Sequence, residues 1–346
     1  MQSFWQKLAK PIIGLSPMDG VTDAPFRHIV AKIGKTDVIF TEFVNVEGLG
    51  RGAIKLLRIL LYSKIERPIV AQLFGASPED FYKAALMVCE LGFDGVDINM
   101  GCPANNVTKG GGGAALIKNS DLAKKIIQAV KNGVDDWADG KNLKNTGIDS
   151  EILKWIDTFL KKEKIKTSRK ILPVSVKTRL GYDSDISEKW ISFLSEQDVD
   201  VISLHGRTLK QMYQGQADWG AISKSAKIVH DAGKIILGNG DIKSVLEVEE
   251  KCKLYRVDGV LVGRATWGNP WFFNKKKINI SRKEKLETLL EQILYFKKMF
   301  EEKHFSPLKK HIAHYVKNFD GALEVRQKLL SAKSFNEFEE MITKIV

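Results

Sequence analysis

Residues 94–118 read DGVDINMGCPANNVTKGGGGAALIK and fall into three parts. Gly95 to Asn99 alternates apolar and polar residues, as a short strand running to its C-terminal end would. Gly101-Cys102-Pro103 then forms a turn in which Pro103 fixes the backbone just beyond a single thiol. Gly110 to Gly113 follow, four glycines that let the backbone take positive φ or lie close to a ligand. A strand delivering one cysteine to a loop beside a glycine-rich approach presents a thiol to a substrate. A buried cysteine in a surface loop is the plain alternative, and the rest of the chain decides between them.

Outward from this segment, eight short apolar runs recur: Ile12–Ser16, Val38–Glu42, Ile69–Leu73, Gly95–Asn99, Leu172–Lys177, Val201–His205, Ile235–Asn239 and Gly259–Val262. Between them lie stretches with helical apolar spacing, among them Pro78–Leu91, Ile186–Gln197 and Asp218–Ala232. Eightfold alternation of strand and helix predicts an α/β fold, a (β/α)8 TIM barrel. A doubly wound sheet would want a G-x-G-x-x-G turn after an early strand, and none is present. Such barrels carry their sites at the C-terminal ends of the strands. There stand Ser16-Pro17-Met18, Glu42, Gln72, Asn99, Lys177, His205, Asn239 and Gly263-Arg264. A ring of Gln, Asn, Lys, His and Asn at one end of the strands is read as a site.

The barrel is assigned to residues 1–275, with an insertion at about 131–170 whose helical pattern covers Asp149–Lys162. The insertion holds 10 basic and 7 acidic residues and belongs to the N-terminal face, away from the chemistry. Beyond the polar run Asn274–Lys285, residues 280–346 read as a small all-helical domain with helices at Leu286–Lys303, Leu308–Asn318, Gly321–Leu330 and Phe335–Ile345. Lys275 to Val346 carries 16 Lys/Arg against 10 Asp/Glu, so +6 of the net +12 lies there. That field suits a polyanionic partner. Lys309, Lys310, His311, His314, Tyr315 and Lys317 interleave basic and aromatic groups suited to phosphate and ribose, or else form a solvated helix face. No apolar stretch is long enough to span a membrane, and MQSFWQKLAK lacks the features of a signal peptide. Cys89, Cys102 and Cys252 share no metal-ligand or disulfide spacing. A cytoplasmic, metal-free monomer is expected.

SPMDGVTDAPFR (16–27), QLFG (72–75), DINMGCP (97–103), VKTRLGY (176–182), HGRT with Tyr213 and ADW (205–219), NGDI (239–242) and GRATWGNPWFF (263–273) together resemble the tRNA-dihydrouridine synthases. KKHIAHYVKNFDGA (309–322) resembles that family's helical tRNA-binding domain. Ser16 and Thr266 stand where Ala is common, and the 131–170 insertion is longer than usual. The resemblance implies FMN, NADPH or NADH as reductant, and reduction of the C5–C6 double bond of a tRNA uridine. Hydride adds at C6, and a proton must reach C5 from the other face. The family gives its motif cysteine, here Cys102, this general-acid role, which a thiol of pKa about 8.5 can fill at neutral pH.

By the same resemblance Pro17 and Met18 pack on the flavin ring, Gln72 bonds its edge, and Lys177 stabilises negative charge on the reduced ring. His205 lies near the ribityl chain or phosphate, and Asn239, Gly240, Gly263 and Arg264 near the phosphate. Asn99 is expected at the target uracil. Arg179 and Arg207 are expected at RNA or flavin phosphate, and Lys309, Lys310, Tyr315 and Lys317 at the tRNA. Two other readings compete. A dihydroorotate or dihydropyrimidine dehydrogenase would share the barrel and flavin but have no use for the basic appendage. An RNA-binding protein with a catalytically dead barrel would not need the Cys102, Lys177 and His205 set.

Overall fold

The computed structural model describes residues 3–277, 279–300 and 305–346. Eight parallel strands close in chain order: β1 (Ile12–Leu15), β2 (Val38–Asn45), β3 (Ile69–Phe74), β4 (Gly95–Met100), β5 (Val174–Arg179), β6 (Val201–His205), β7 (Ile235–Asn239) and β8 (Gly259–Val262). β8 pairs back onto β1 through Ile12–Leu15. The strands are buried on both faces, which is why they read as nearly continuous Val, Ile and Leu.

β6, β7 and β8 end where the sequence predicts. β5 is shifted by two residues. Pro173 has no N–H to donate, so the strand begins at Val174 and runs to Arg179. β2 continues to Asn45, and its register against β3 slips between Phe40 and Phe43. At this bulge Thr41 Oγ1 accepts the Gln72 N–H (3.0 Å). The slip turns Glu42 so that its carboxylate accepts the Gly20 N–H (2.5 Å).

The barrel is a packed core. At its N-terminal end Trp5, from the turn Phe4–Lys7, is 1% exposed and shares a cluster with inward-facing Ile12, Val38, Phe40, Val70, Val201, Leu237 and Leu261. Above this apolar plug the inward positions turn polar: Gln72, Asp97, Ser175 and Ser203 are all buried. The polar layer leads up to the strand ends.

Helices Ala24–Gly34, Pro78–Glu90, Ser120–Ala138, Ser187–Ser195, Trp219–Asp231 and Val245–Tyr255 cover the outside. Between β2 and β3 the cover is a short helix, Val46–Gly50, and the 3-10 segment Ile54–Leu60. The insertion adds helix Ser150–Glu163, whose buried Ile152, Ile156 and Phe159 recur at helical spacing. Phe159 meets Tyr62 (5.6 Å between rings), and the Tyr62 hydroxyl donates to Leu91 O (2.9 Å) just ahead of β4. The end of this helix thus reaches the N-terminal face, while Asp149 at its start comes beside Gly52 in the connection after β2, so the insertion runs along the side of the barrel and is not confined to that face.

A second core gathers Trp271, Leu286, Leu289, Ile293, Phe305, Ile312, Tyr315, Leu329, Phe338 and Ile342 from four C-terminal helices and their flanks: Arg282–Phe300, Lys309–Tyr315, Ala322–Leu330 and Phe335–Thr343. Residues 301–303, expected to extend the first of these, lie outside the described residues. Helix Lys309–Tyr315 rests against the loops that follow β1 and β8. Trp267 stacks on His314 (3.7 Å between rings), and Lys310 Nζ approaches Gly20. The helical bundle therefore stands beside the end of the barrel where the strands finish.

That seating depends on Gly268, whose φ is +69° and whose β-carbon would fall 2.3 Å from the His314 carbonyl carbon. Gly268→Ala is expected to cost about 2 kcal/mol or more and to loosen the bundle before the barrel. Limited proteolysis should then cut the C-terminal helices while the barrel's circular dichroism persists; an unchanged digestion pattern would refute this seating.

Candidate active site

The loop bearing Cys102 is held by side chains from β4 and β5. Asn99, the last inward residue of β4, accepts the N–H groups of Gly101 (3.0 Å) and Cys102 (2.8 Å) on its Oδ1. Its Nδ2 donates to Gln72 Oε1 (3.0 Å), and Gln72 Nε2 donates to Asp97 Oδ2 (2.6 Å). Ser175 Oγ closes the row by donating to Asp97 Oδ1 (2.5 Å). From β5, Arg179 Nε donates to Gly101 O (2.7 Å) and Nη1 to Thr208 O (3.1 Å). The turn before Pro103 is thus fixed on both sides.

The four glycines serve this turn as well. Gly113 has φ +58°, and a β-carbon on it would lie 2.8 Å from Cys102 O. A β-carbon on Gly112 would lie 2.8 Å from Gly75 O. Gly110 takes an ordinary φ of −78°. Of the two uses the sequence allows for this run, positive φ and close approach, Gly113 shows both, and the approach is to the chain's own backbone.

Cys102 is 9% exposed. Burial pushes its thiol up; Asp19 adds to this, while the Ala104 N–H, Arg179 and Lys177 oppose it. The thiol is therefore held in its protonated form at neutral pH. Cys89 and Cys252 are also buried, away from the strand ends.

Beside it, Lys177 Nζ donates to Asn239 Oδ1 (3.1 Å), and Asn239 Nδ2 donates to Leu261 O (2.7 Å). Burial, then Arg179, bring Lys177 down to about 8. His205 is pushed down to about 2 by burial and by Lys177, Arg179, Arg207 and Arg264, so it is neutral. Arg207 Nη1 lies 3.4 Å from His205 Nε2. A guanidinium can only donate, so Nε2 is the acceptor and the proton sits on Nδ1. Burial pushes Asp97 up to about 6, against the bonds from Ser175 and Gln72 and the charge of Lys177. Glu42 rises to about 7, through burial and then the charge of Asp23.

At the β1 end, Met18 N–H donates to Thr22 Oγ1 (2.9 Å), turning Pro17-Met18 over the rim. A β-carbon on Gly263 would lie 3.3 Å from Met18 Sδ, at the rim. One on Gly240 (φ +136°) would fall 2.5 Å from Ala217 Cβ and 3.4 Å from His205 Cδ2, so this glycine admits the close approach of the loop that carries Ala217. Among the described residues no cluster of three or more His, Cys, Asp or Glu is placed to hold a metal ion, and no helix is long and apolar enough to cross a membrane.

The family model for dihydrouridine synthase matches residues 14–151 and 154–345. The chain belongs to the dihydrouridine synthase family. It is therefore an oxidoreductase. A "Probable tRNA-dihydrouridine synthase" of Staphylococcus aureus is 34% identical over 352 residues, 99% of this chain and 95% of that one. A "Probable tRNA-dihydrouridine synthase 2" of Bacillus subtilis is 34% identical over 350 residues, 99% of this chain and 96% of that one. Among solved structures, histamine dehydrogenase from Rhizobium sp. 4-9 superposes with a TM-score of 0.50 at 12% identity, covering 84% of this chain and 51% of that one. That likeness concerns the barrel fold alone.

The rim gathers Pro17, Met18, Asn99, Cys102, Lys177, Arg179, His205, Asn239, Gly240, Gly263 and Arg264 at the ends of neighbouring strands or in the loops just beyond. Gln72 and Asn99 each spend one amide hydrogen within the row and keep one. Two expected residues are placed otherwise. Arg207, 2% exposed, is consumed by the fold: it forks onto Asp241 (3.1 and 2.7 Å) and donates to Gln214 O and Gly215 O. Tyr315, expected at RNA, is fully buried in the helical core, its hydroxyl on Gln292 Oε1 (2.9 Å). Lys309 and Lys310 are partly buried and Lys317 is exposed.

Asp97 and Asp241 are site residues that the sequence reading does not single out, although both lie within quoted motifs. Asp97 shares the inward parity of Asn99 two residues on, and that alternation is the signal available. Burial would raise Asp241, but Arg207, the Ala217 N–H and Arg264 outweigh it and hold its carboxyl below the ordinary range. Asp241 thereby ties together Arg207 after β6 and Arg264 after β8 (2.8 Å).

Proposed function

We propose that this protein reduces the C5–C6 double bond of uridines in tRNA, with FMN at the strand ends, NADPH as reductant and Cys102 as the proton donor. The observation that carries the reading is a protonated thiol, fixed by Asn99 at the rim, within the field of Lys177 and Arg179. The names carried by the 34%-identical relatives from Staphylococcus aureus and Bacillus subtilis support tRNA as the substrate.

The rim fits a planar, anionic cofactor. Gly263 leaves space beside Met18 that a β-carbon would fill, and the Lys177 amine and Arg264 guanidinium offer positive charge beside it. Pro17 and Met18 are the apolar wall, and Asn239, Gly240, Gly263 and Arg264 the phosphate end, with neutral His205 beneath; Gln72, expected at the ring edge, is fully buried under this layer and acts through Asn99. When bound, FMN supplies hydride to C6 of the uracil. Cys102 supplies the proton to C5, and the remaining amide hydrogen of Asn99 orients the base by its carbonyl. Arg179 acts by holding the cysteine turn.

A uridine stacked within folded RNA cannot reach this rim, so the base must leave its stack. Residues 280–346 are the tRNA-holding domain and residues 1–275 the catalytic domain. Lys309, Lys310 and Lys317 contact the RNA backbone from a helix, and the turn after it, that stand beside the loops after β1 and β8.

Unmodified tRNA incubated with the protein, FMN and NADPH should gain the mass of two hydrogens at a uridine. Cys102→Ala should slow this by about 10²–10⁴-fold while NADPH still reduces the flavin at the normal rate. Tenfold or smaller loss would remove Cys102 from the proton-donor role. Lys177 gives a second expectation. Its amine is charged below about 8 and neutral above, and an anionic ligand prefers the charged form. FMN affinity, measured by fluorescence titration, should therefore fall as pH rises through that value, and Lys177→Met should flatten the dependence. A wild-type affinity that stays level from pH 7 to 9 would contradict it.

A further inference from the structure

The hydrogen bonds beneath the cysteine turn have a direction. Backbone N–H groups only donate, so Gly101 and Cys102 require Asn99 to turn Oδ1 towards them. Asn99 must then offer Nδ2 to Gln72, Gln72 must turn Oε1 to Asn99, and Nε2 is left facing residue 97. The row closes only if residue 97 accepts. A carboxylate is the side chain that accepts on both oxygens, and Asp97 does so, from Gln72 and from Ser175. Gln72, Asp97 and Ser175 are at most 1% exposed, so water cannot stand in for a lost partner.

We propose that Asp97 is a positioning residue for Cys102, setting the orientation of the Gln72 and Asn99 amides and through them the cysteine turn. It touches neither substrate nor thiol. With an apolar side chain at position 97, Gln72 Nε2 loses its acceptor, and a Gln72 that turns away to regain one withdraws Oε1 from Asn99. Asn99 is then free to turn, and with Nδ2 facing the two backbone N–H groups donor meets donor and the turn is released. An amide at position 97 keeps the row, because its Oδ1 accepts from Gln72 Nε2 and its Nδ2 donates to the Ser175 hydroxyl, which can donate onward to Val96 O. The charge also stands near Lys177, on the adjoining strand β5, whose proximity favours the ionised form of Asp97.

This role rests on the proposed part of Cys102 in the reaction, but its test does not. In the full-length protein, Asp97→Leu, similar in shape but unable to accept, should make Cys102 more reactive towards iodoacetamide, followed by peptide mass spectrometry, on the order of tenfold. Turnover with tRNA should fall by a similar factor. Asp97→Asn keeps an acceptor for Gln72 and should leave Cys102 alkylation within about threefold of wild type, a contrast with the leucine variant that a merely space-filling role would not give. Should Asp97→Leu fail to fold, Gln72→Leu, which removes the next link towards Asn99, takes its place.

Wild-type alkylation in Asp97→Leu, or an Asp97→Asn variant as reactive as Asp97→Leu, would overturn the proposal. Altered alkylation with unaltered tRNA turnover would uphold the positioning of Cys102 and instead refute its role as proton donor.

Discussion

One oxygen atom, Asn99 Oδ1, takes up the N–H groups of both Gly101 and Cys102 and so determines where the thiol points. The barrel can be read as what is needed to hold that atom still. Below it runs a buried polar row through Gln72, Asp97 and Ser175, on three adjacent strands. Below that row lies the apolar plug of Trp5 and its neighbours. A buried polar row is costly when incomplete; here each member finds its partner, and the Gly112–Gly113 approach presses the following loop against the turn.

Around this turn the electrostatics divide the rim. Lys177, Arg179 and Arg207 crowd one arc on β5 and beyond β6, and their combined charge helps burial keep His205 neutral. Asp241 compensates on the far side by binding Arg207 and Arg264 together. The positive charge that remains open to a ligand is thus concentrated at Lys177 and the exposed Arg264. Across the mouth, Glu42 and Asp23 are both partly buried carboxyls raised by desolvation, beside the loop on which Lys310 rests. The helical bundle meets the barrel at this acidic side, which gives the basic helix Lys309–Tyr315 a definite seat.

The barrel was legible because its strands are apolar on both faces and finish in polar residues at one end. Boundaries moved where one residue's chemistry intervened, as with Pro173 ahead of β5 and the Thr41–Glu42 bulge in β2. The rim residues were legible as strand ends. Partners were not, since Arg207 reads as a phosphate ligand until Asp241 is seen to occupy its fork. Tyr315 stands among basic neighbours in the chain, yet its ring turns inward to Gln292, because helical periodicity alone does not say which face meets the core. Asp97 was hidden for the opposite reason. It is a charged residue at an interior position, where apolar patterning gives no cue to a hydrogen-bonded carboxylate.

The central claim is that this rim passes hydride and proton to a base delivered by tRNA. The most direct measurement is a stopped-flow trace of flavin reoxidation, with the protein reduced anaerobically by NADPH and mixed with unmodified tRNA or with free uridine, uracil or orotate. Rapid recovery of absorbance near about 450 nm with tRNA alone is the predicted result. Equally fast recovery with a free pyrimidine would contradict it.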